Sequence, residues 1–549
     1  MKDKKNLPIG RDDFKEIIDY NLYYVDKTDI IEDLLKSNSY VSLFPRPRRF
    51  GKSLFISMLE NFFNIEYKDI NSNLFDGLKI SKSEYYKYLN TFPVIKVDFK
   101  SITGKNYEDM YNSYKGIITK LYSDKRYLIE YLNDDEKEIY NKFLYEIADE
   151  SKYKEAINLM SRYLYKYHNQ KVIILIDEYD KPIQDAYVKG FYEDFIGLMK
   201  EVVSSSLKGN SNIFMGIMTG VLRVSQESLF SDLNNVSIYG IVDDEYNECF
   251  GFTTSETREI LAYYDLELSE EVKKMYDGYN FCGAEIYNPW SIINYCKSKR
   301  LEEYWVNTSG NTLIFDILNK TNDDMKISVE KLLSGETLNF TYNSKVTYLD
   351  YNNFNSENNI LNLLFASGYL TLDSTRIDEF GNKEMKVKLP NEEVKWLFKR
   401  ILQDELIDKE KITLTIIKNF SLAILNDNKE EIEIHLNKIL PSMSYMDETE
   451  SFYHGYILGL FSMFINQNYI IKSNREAGLG RFDLMIEKLD RSYGVIIELK
   501  ITKGDMEKEA EVALNQIEEK EYYQELKLDK VKDIRKYAIV FKGKNAIVR

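Results

Sequence analysis

Cysteine and histidine are scarce in this sequence. Its 549 residues include only three of each, and Cys249, Cys282 and Cys296 follow no spacing that is typical of metal ligands. An odd number of cysteines in so long a chain indicates a reducing compartment. We therefore expect no zinc site in this protein.

Long apolar runs are missing as well. No stretch of about 18 apolar residues occurs, so the sequence predicts no membrane-spanning helix. The first residues, MKDKKNLPIGRDDF, lack the apolar segment of a secretory signal peptide. Together with the reducing compartment, these features predict a cytoplasmic protein without a membrane partner.

Positive charge is in deficit. The chain has 73 Lys and Arg against 89 Asp and Glu, for a net charge of −16. This balance favours solubility and excludes a protein that is basic over its whole surface, but it leaves room for a local basic groove. Residues 451–549 are close to neutral, so they are the part of the chain that repels DNA least.

The first 240 or so residues alternate short apolar strands with longer amphipathic stretches. The strands are YVSLF (40–44), FPVIKVDF (92–99), KVIILIDEY (171–179) and NIFMGIMTG (212–220). Such alternation predicts an α/β core with a mainly parallel sheet that helices cover on both faces. We assign this core to residues 1–245.

The rest of the chain is long enough for further domains. Residues 246–300 predict a helical lid, with the loop YDGYNFCGAEIYNPWS between helices. Residues 301–445 predict a mainly helical middle region. Within it, NNILNLLFASGYLTLDS, TRIDEFGNKE and MKVKLPNEEVKWLFKRIL indicate helix, hairpin and helix, the pattern of a winged-helix module. Residues 446–549 predict a separate α/β domain.

The string FPRPRRFGKS (44–53) lies between the first strand and a helix, the order that a phosphate-binding loop requires. Backbone N–H groups of Gly51 and the helix N-terminus would face the phosphates, Lys52 would reach the β and γ oxygens, and the Ser53 hydroxyl would coordinate Mg²⁺. Arg46 stands where the first glycine of such a loop is expected. Arg46, Arg48 and Arg49 would contact phosphates or a neighbouring subunit, or simply be solvated.

Acidic and polar residues follow two other strands. Asp177 and Glu178 end a buried strand, at the edge where parallel sheets bind ligands. Asp177 would hold the Mg²⁺, and Glu178 would orient or deprotonate the attacking water. Thr219 would sense the γ-phosphate, and Arg223 would neutralise charge in the transition state. The alternative is a structural role for each, as a helix cap, a turn or a surface salt bridge.

A second acidic group lies in RFDLMIEKLDRSYGVIIELK (481–500). A hairpin turn centred between Asp490 and Arg491 places Asp483 opposite Glu498. Two opposed carboxylates are destabilising unless a cation lies between them, and a hard divalent cation is the natural candidate. Lys500 emerges on the same face as Glu498 and would orient or deprotonate a water. An ordinary hairpin with a solvated charged face is the alternative.

Four further residues are candidates for supporting this site. Glu450 begins the preceding helix and could reach the metal. Arg481 precedes Asp483 by two positions, and Gln516 and Tyr522 lie on the following helix, where they could contact the DNA backbone. Each residue taken alone also fits a structural role.

Several of these strings resemble known bacterial families. LPIG, YYVDKT, FPRPRRFGKSL, IILIDEYDKPI, MTGVLRVSQES, YDGYNF, YNPW and YWVNTSGN resemble the AAA-ATPase-like family, whose loop also reads R-P-R-R-F-G-K-S. FYHGYILGL, GRFDLMI, VIIELK and ALNQI resemble the PD-(D/E)XK nuclease domain that usually follows it. The motifs extend from about residue 7 to 545 and are least supported over 300–440. Phe482 stands where many such nucleases have a proline.

The resemblance implies a P-loop NTPase sheet with a helical lid and a C-terminal restriction-endonuclease-like domain. From the two sites together we expect an ATPase that controls an Mg²⁺-dependent or Mn²⁺-dependent DNA endonuclease. A role in defence against phage or mobile DNA is a hypothesis that follows from the need to gate a nuclease inside a cell. The alternative is a nucleotide-operated switch or sensor whose C-terminal domain binds nucleic acid or a partner without cleaving. A homo-oligomer is left open.

Overall fold

The computed structural model describes residues 4–71, 73–222, 235–306, 323–343, 356–379, 381–400, 414–440, 469–477 and 480–549, together with Tyr453, Ile457 and Leu460. The chain forms two compact units. The first comprises Met1–Leu313 and Asn339–Glu393, and the second comprises Ile314–Leu338 and Val394–Arg549. The middle region assigned to 301–445 is thus divided between them.

A five-stranded parallel sheet is the centre of the first unit, in the order β2-β3-β4-β1-β5. Strands β1 and β3 are buried along their whole length, as expected for Val/Ile/Leu-rich strands that helices cover on both faces. The α/β fold predicted from the sequence is confirmed. The strands are Val41–Pro45 (β1), Val94–Asp98 (β2), Val172–Asp177 (β3), Ile213–Gly220 (β4) and Val236–Ile238 (β5).

Eight helices of the described chain accompany this sheet. Their starts follow from local sequence: for example, Asn133 and Glu136 form a capping box at the start of α5. Buried tyrosines join the helices, since the hydroxyl of Tyr114 on α4 donates to the Tyr153 carbonyl on α6. The helices are Phe14–Asp19 (α1), Ile30–Ser37 (α2), Lys52–Phe63 (α3), Tyr107–Asp124 (α4), Asp134–Leu144 (α5), Glu150–His168 (α6), Lys181–Lys189 (α7) and Tyr192–Leu207 (α8).

The lid region combines helices with a small antiparallel sheet of order β6-β8-β7. The predicted loop YDGYNFCGAEIYNPWS is in fact a hairpin, because Cys282 and Gly283 both have positive φ and form a two-residue turn between alternating buried aromatics. The elements are Phe252–Thr253 (β6), Thr254–Tyr263 (α9), Glu270–Tyr276 (α10), Tyr279–Phe281 (β7), Ala284–Tyr287 (β8) and Pro289–Ser298 (α11).

A further three-stranded sheet completes the first unit, in the order β10-β11-β9. The predicted helix and hairpin are both present, and residues 392–400 are helical as the second predicted helix requires. Strand β9 was not predicted. The elements are Leu338–Thr341 (β9), the helix Glu357–Ala366, Thr371–Ile377 (β10) and Lys383–Lys388 (β11).

The second unit is built on a mixed sheet of order β12-β13-β14-β15-β16. All neighbours are antiparallel except β14 and β15, which are parallel because the helix Met506–Glu519 crosses over between them. The strands are Tyr469–Ala477 (β12), Gly480–Lys488 (β13), Tyr493–Ile501 (β14), Asp533–Lys542 (β15) and Asn545–Val548 (β16), and the other helices are Asp323–Leu333, Leu414–Leu425, Lys429–Ile439 and Gln524–Leu528.

Both faces of this second sheet carry apolar core. Leu484, Ile486 and Ile497 belong to the cluster on one face, whereas Met485 and Ile496 belong to the cluster on the other. This alternation follows from the period of two in a β-strand. Among the residues that the structure describes, no helix is long and apolar enough to cross a membrane.

Candidate functional sites

The loop between β1 and α3 brings backbone donors to the carboxyl edge of the first sheet. Gly51 caps α3 with φ 92°, a conformation that strains any other residue. The backbone N–H of Arg46 donates to the carbonyl of Gly220 at 3.0 Å, so the loop is attached to the end of β4. The unpaired N–H groups of the first turn of α3 therefore face the edge where β3 and β4 also end.

Lys52 is buried at the start of this helix, at 4% exposure. Its Nζ atom donates to the carbonyls of Arg46 and Pro47, each at 3.2 Å, and lies 3.7 Å from Oε1 of Glu178. Burying an ammonium group is costly unless oxygen atoms surround it. The loop thus holds a cation whose present partners are carbonyl oxygens that a phosphate group could replace.

Ser53, Asp177 and Thr219 come together at this edge, although they lie on three different elements. The hydroxyl of Thr219 donates to Oδ1 of Asp177, and the Ser53 hydroxyl lies near the same carboxylate. Burial raises the pKa of Asp177 above its ordinary value, and the Thr219 and Ser53 hydroxyl groups oppose the shift. Hydroxyl and carboxylate oxygens are the ligands that Mg²⁺ prefers.

Negative charge accumulates around Asp177. Asp98 is its register partner on β2, and Glu178 follows it directly. Burial is the main reason for the raised pKa of Asp98, and the carboxylates of Asp177 and Glu178 add to it. Within the described chain no group of three His, Cys, Asp or Glu could hold a metal by itself.

Glu178 has a backbone conformation that is rare outside glycine, with φ 52°. The following N–H, that of Tyr179, donates to the carbonyl of Thr219 at 3.1 Å, which holds the chain in this bend. Strained residues cluster at functional sites because the surrounding structure must fix them. Here the bend turns the Glu178 side chain toward Lys52 and the adjacent cavity.

Asp180 is a site residue that the sequence did not single out. It is 3% exposed, and its Oδ2 accepts the backbone N–H groups of Val221 at 3.0 Å and Leu222 at 2.7 Å. The segment after β4 is therefore held against the segment after β3. The only signal in the sequence is a third acidic residue in the string DEYD.

The three loop arginines have different surroundings. Arg46 is fully buried, and its guanidinium donates to the carbonyls of Pro45, Tyr239 and Tyr246. It therefore contacts neither a phosphate nor the outside of the chain, contrary to the expectation from the sequence. Arg48 donates to Gln184 at 2.9 Å, and Arg49 lies 4.3 Å from the ring centre of Trp290.

A cavity of about 550 Å³ adjoins the loop, a volume typical of ligand pockets. Its lining includes the loop together with Lys100 and Lys181. The N-terminal segment and the lid also line it, with apolar side chains such as Ile260 and Ile293. Lys27 joins the N-terminal segment to the lid, because its Nζ donates to the Glu248 carbonyl and to Glu256. The lining thus combines basic and apolar side chains.

In the second unit, β13 and β14 pair in the register that the sequence predicts. Paired residues lie at equal distances along the chain from the bond between Asp490 and Arg491. Leu484 lies opposite Ile497 as the last pair of this ladder, and Asp483 and Glu498 are the next residues on the two strands. Oδ2 of Asp483 accepts the backbone N–H of Leu499 at 2.7 Å, so this carboxylate is directed at β14 next to Glu498. The hydrogen-bonded turn itself runs from Lys488 to Arg491.

Glu498 is buried, at 1% exposure, within a polar network. Its Oε1 accepts Lys500 Nζ at 2.9 Å and also the side-chain amide of Gln516, which donates in turn to the Tyr522 hydroxyl at 3.0 Å. Tyr522 is 2% exposed, so its position does not fit the expected contact with the DNA backbone. Gln516 is directed at Glu498 and orients its carboxylate.

Three predicted site residues lie outside what the structure describes. Arg223 and Glu450 are outside the described residues altogether. Arg481 lies on β13, but its side chain is not among those described.

The chain matches two known protein families, one over each of the regions that contain these sites. Residues 8–230 match the family described as "Predicted AAA-ATPase", and residues 448–549 match the PD-(D/E)XK nuclease superfamily. The chain joins an AAA-ATPase-like domain to a PD-(D/E)XK nuclease domain. Both resemblances seen in the sequence are thereby confirmed. The AAA-ATPase match covers the phosphate-binding loop and strands β1 to β4, and the nuclease match covers β12 to β16.

One relative is similar to this chain along nearly its whole length. The chain is 24% identical over 527 residues to the "Uncharacterized protein in vnfD 5'region" of Azotobacter chroococcum mcd 1, covering 94% of this chain and 93% of that protein. The similarity therefore includes the region between the two matched domains.

Asp180 gives a pH-dependent prediction for the AAA-ATPase domain. Burial, with Glu178 adding to it, raises the pKa of Asp180 to about 6. A carboxyl whose folded pKa is raised contributes stability that is complete below pH 4 and is lost as the pH rises through 6. We expect the free energy of unfolding of Asp180→Asn to rise relative to that of the wild type between pH 4 and pH 7. The expected difference is about 3 kcal/mol, which corresponds to the rise of the Asp180 pKa on folding. Urea unfolding at several pH values would measure this, and parallel profiles would contradict it.

Proposed function

We propose that the AAA-ATPase-like domain binds and hydrolyses ATP with Mg²⁺ and controls a DNA endonuclease formed by the PD-(D/E)XK domain. The observation that carries the ATPase half is the convergence of Lys52, Ser53, Asp177, Glu178 and Thr219 on one sheet edge. These residues come from three separate segments of the chain. A chance G-K-S string would not bring the others to it.

The roles at the nucleotide site follow from position. Lys52 is placed to bind the β and γ phosphates, and Thr219 to hold a γ-phosphate oxygen. Ser53 and Asp177 would hold Mg²⁺, which when bound neutralises charge on the phosphates. Glu178 is the residue that orients the attacking water, since its carboxylate faces Lys52 and the cavity.

The cavity supports a nucleoside triphosphate as the ligand. The basic side chains in its lining match the phosphates, and the apolar side chains of the N-terminal segment and the lid match a base and ribose. A ligand of purely anionic character would not need the apolar side chains.

At the nuclease site, Asp483 and Glu498 would hold Mg²⁺ or Mn²⁺, which when bound polarises a phosphodiester. Lys500 is placed to orient or deprotonate the attacking water, and Gln516 fixes the Glu498 carboxylate. DNA is the proposed substrate, and the near-neutral charge of this domain in an acidic chain supports that choice. We place the protein in the cytoplasm and infer a role in defence against phage or mobile DNA, because a nuclease inside a cell requires a gate such as ATP.

A second function has one observation in its favour. Lys500 forms an ion pair with Glu498 and thus takes up part of the space beside the carboxylates. In a nucleotide-operated switch, this pair would stabilise a domain that binds nucleic acid or a partner without cutting it.

Two substitutions separate the steps of the ATPase. Lys52→Ala is expected to abolish ATP binding, because the phosphates lose their buried cation. Glu178→Gln is expected to retain binding and to lower the hydrolysis rate by about 10² to 10⁴. Calorimetry and phosphate release measure the two steps. Lys171→Ala, at an exposed lysine of the same domain, is the control, and unchanged ATP binding in Lys52→Ala would contradict the assignment of the loop.

The nuclease reading predicts that Glu498→Ala and Lys500→Ala each abolish cleavage of DNA in Mg²⁺ or Mn²⁺, and that EDTA abolishes it in the wild type. Gel assays on linear and plasmid DNA measure this, with Glu511→Ala, an exposed carboxylate on the helix that carries Gln516, as the matched control. Full cleavage by both variants would exclude this site. DNA binding without cleavage by the wild type would favour the switch.

The cavity predicts where the base binds. Ile293→Trp on α11 should narrow the cavity at this apolar lining residue and weaken ATP binding at least tenfold, while binding of inorganic tripolyphosphate stays unchanged because the loop is intact. Lys297→Trp, an exposed position on the same helix, should affect neither. An equal loss of affinity for ATP and for tripolyphosphate would show that the base does not bind beside Ile293.

A further inference from the structure

Glu393 is a buried carboxylate outside both matched domains. It is 1% exposed and receives hydrogen bonds from one short segment and one lid helix. Oε1 accepts the backbone N–H groups of Tyr304 at 2.6 Å and of Trp305, and Oε2 accepts the Ser291 hydroxyl at 2.8 Å. The backbone N–H of Val306 also contributes. Such a carboxylate fixes the chain path of the segment whose N–H groups it accepts.

That segment contacts the phosphate-binding loop directly. The indole Nε1–H of Trp305 donates to the carbonyl of Arg48 at 3.0 Å. Tyr369 packs on the Trp305 ring with 5.1 Å between ring centres. Its neighbour Gly368, at φ 86°, lies so close to the loop that a Cβ there would come within 2.7 Å of Pro47. The loop therefore rests on residues that follow the AAA-ATPase match in the sequence.

The hydrogen bond from Trp305 to the Arg48 carbonyl affects phosphate binding because of the geometry of the peptide group. The carbonyl of Arg48 and the N–H of Arg49 belong to one planar trans unit, so they point in opposite directions. Holding the carbonyl against Trp305 fixes the direction of the N–H. Backbone N–H groups of the loop are the donors that phosphates require, and their placement before binding determines affinity.

We propose that Glu393 is a positioning residue for the nucleotide site: it fixes residues 304–306, and Trp305 fixes the phosphate-binding loop. This inference rests on the proposed ATP binding. It also gives a role to the region between the two matched domains, because Glu393 is the last residue of the first compact unit and the chain enters the second unit at Val394.

The test compares three variants of the full-length protein. Trp305→Phe removes the indole donor while keeping an aromatic ring, smaller than indole, against Tyr369. It should weaken ATP binding about fivefold, the effect of one hydrogen bond. Glu393→Ala should weaken it at least as much. Glu393→Gln should retain most of the affinity, because the amide oxygen can still accept the backbone N–H groups and the amide nitrogen can donate to the Ser291 hydroxyl.

A matched control separates positioning from general stability. Tyr114→Phe removes one buried hydrogen bond to a backbone carbonyl in the helical layer, away from the loop. It should lower the melting temperature as much as Trp305→Phe does and leave ATP affinity unchanged. Amide hydrogen exchange over residues 46–52 should increase in Trp305→Phe and not in Tyr114→Phe.

The outcomes are distinct. Weaker ATP binding and faster exchange of the loop in Trp305→Phe, with rescue in Glu393→Gln, support the proposal. ATP affinity and loop exchange in Trp305→Phe equal to those of the wild type overturn it, even if Glu393→Ala fails to fold. Failure of the wild type to bind ATP would overturn the proposed function itself.

Discussion

The proposed nucleotide site depends on the position of β4 between β1 and β3. Because the three strands are parallel neighbours, the phosphate-binding loop, Thr219 and Asp177 end at the same edge of the sheet. The Arg46 N–H bonds to the end of β4, and Asp180 accepts the N–H groups that follow it. Displacing β4 would therefore separate the loop from the acidic residues, so this pairing is the constraint that the site's chemistry requires.

Both candidate sites place carboxylates in the interior and surround them with donors. Asp177 receives hydroxyl groups, whereas Glu498 receives an amide and an ammonium group. Buried charge is expensive, and donors of this kind reduce the cost without neutralising it. A divalent cation at either site would act on oxygen atoms that the fold has already oriented. This common arrangement explains why each carboxylate lies on a core strand and not on a loop.

Strand-end residues were predictable from the sequence because apolar runs identify the buried strands, and the period of two gives each residue's face. Asp177, Thr219 and the Asp483–Glu498 register followed in this way. Contacts between residues far apart in sequence did not follow. The burial of Tyr522 and the hydrogen bonds of Asp180 and Glu393 depend on tertiary packing. No local pattern distinguishes such a residue from a solvated one.

Arg46 shows how a departure from a motif can have a packing reason. Its guanidinium donates to the carbonyl of Pro45 and to those of Tyr239 and Tyr246, which lie much later in the chain. It also lies 5.0 Å from the ring centre of Phe250 and 5.7 Å from that of Phe281, both in the lid. Burial lowers its pKa to about 10, so the side chain stays charged at neutral pH. Carbonyl oxygens and aromatic faces offset part of the cost of burying that charge. A glycine at this position would leave these carbonyls and rings without the group that joins the loop to the lid. The arginine therefore belongs to the support of the loop, whereas Gly51 and Lys52 are the residues proposed to face the ligand.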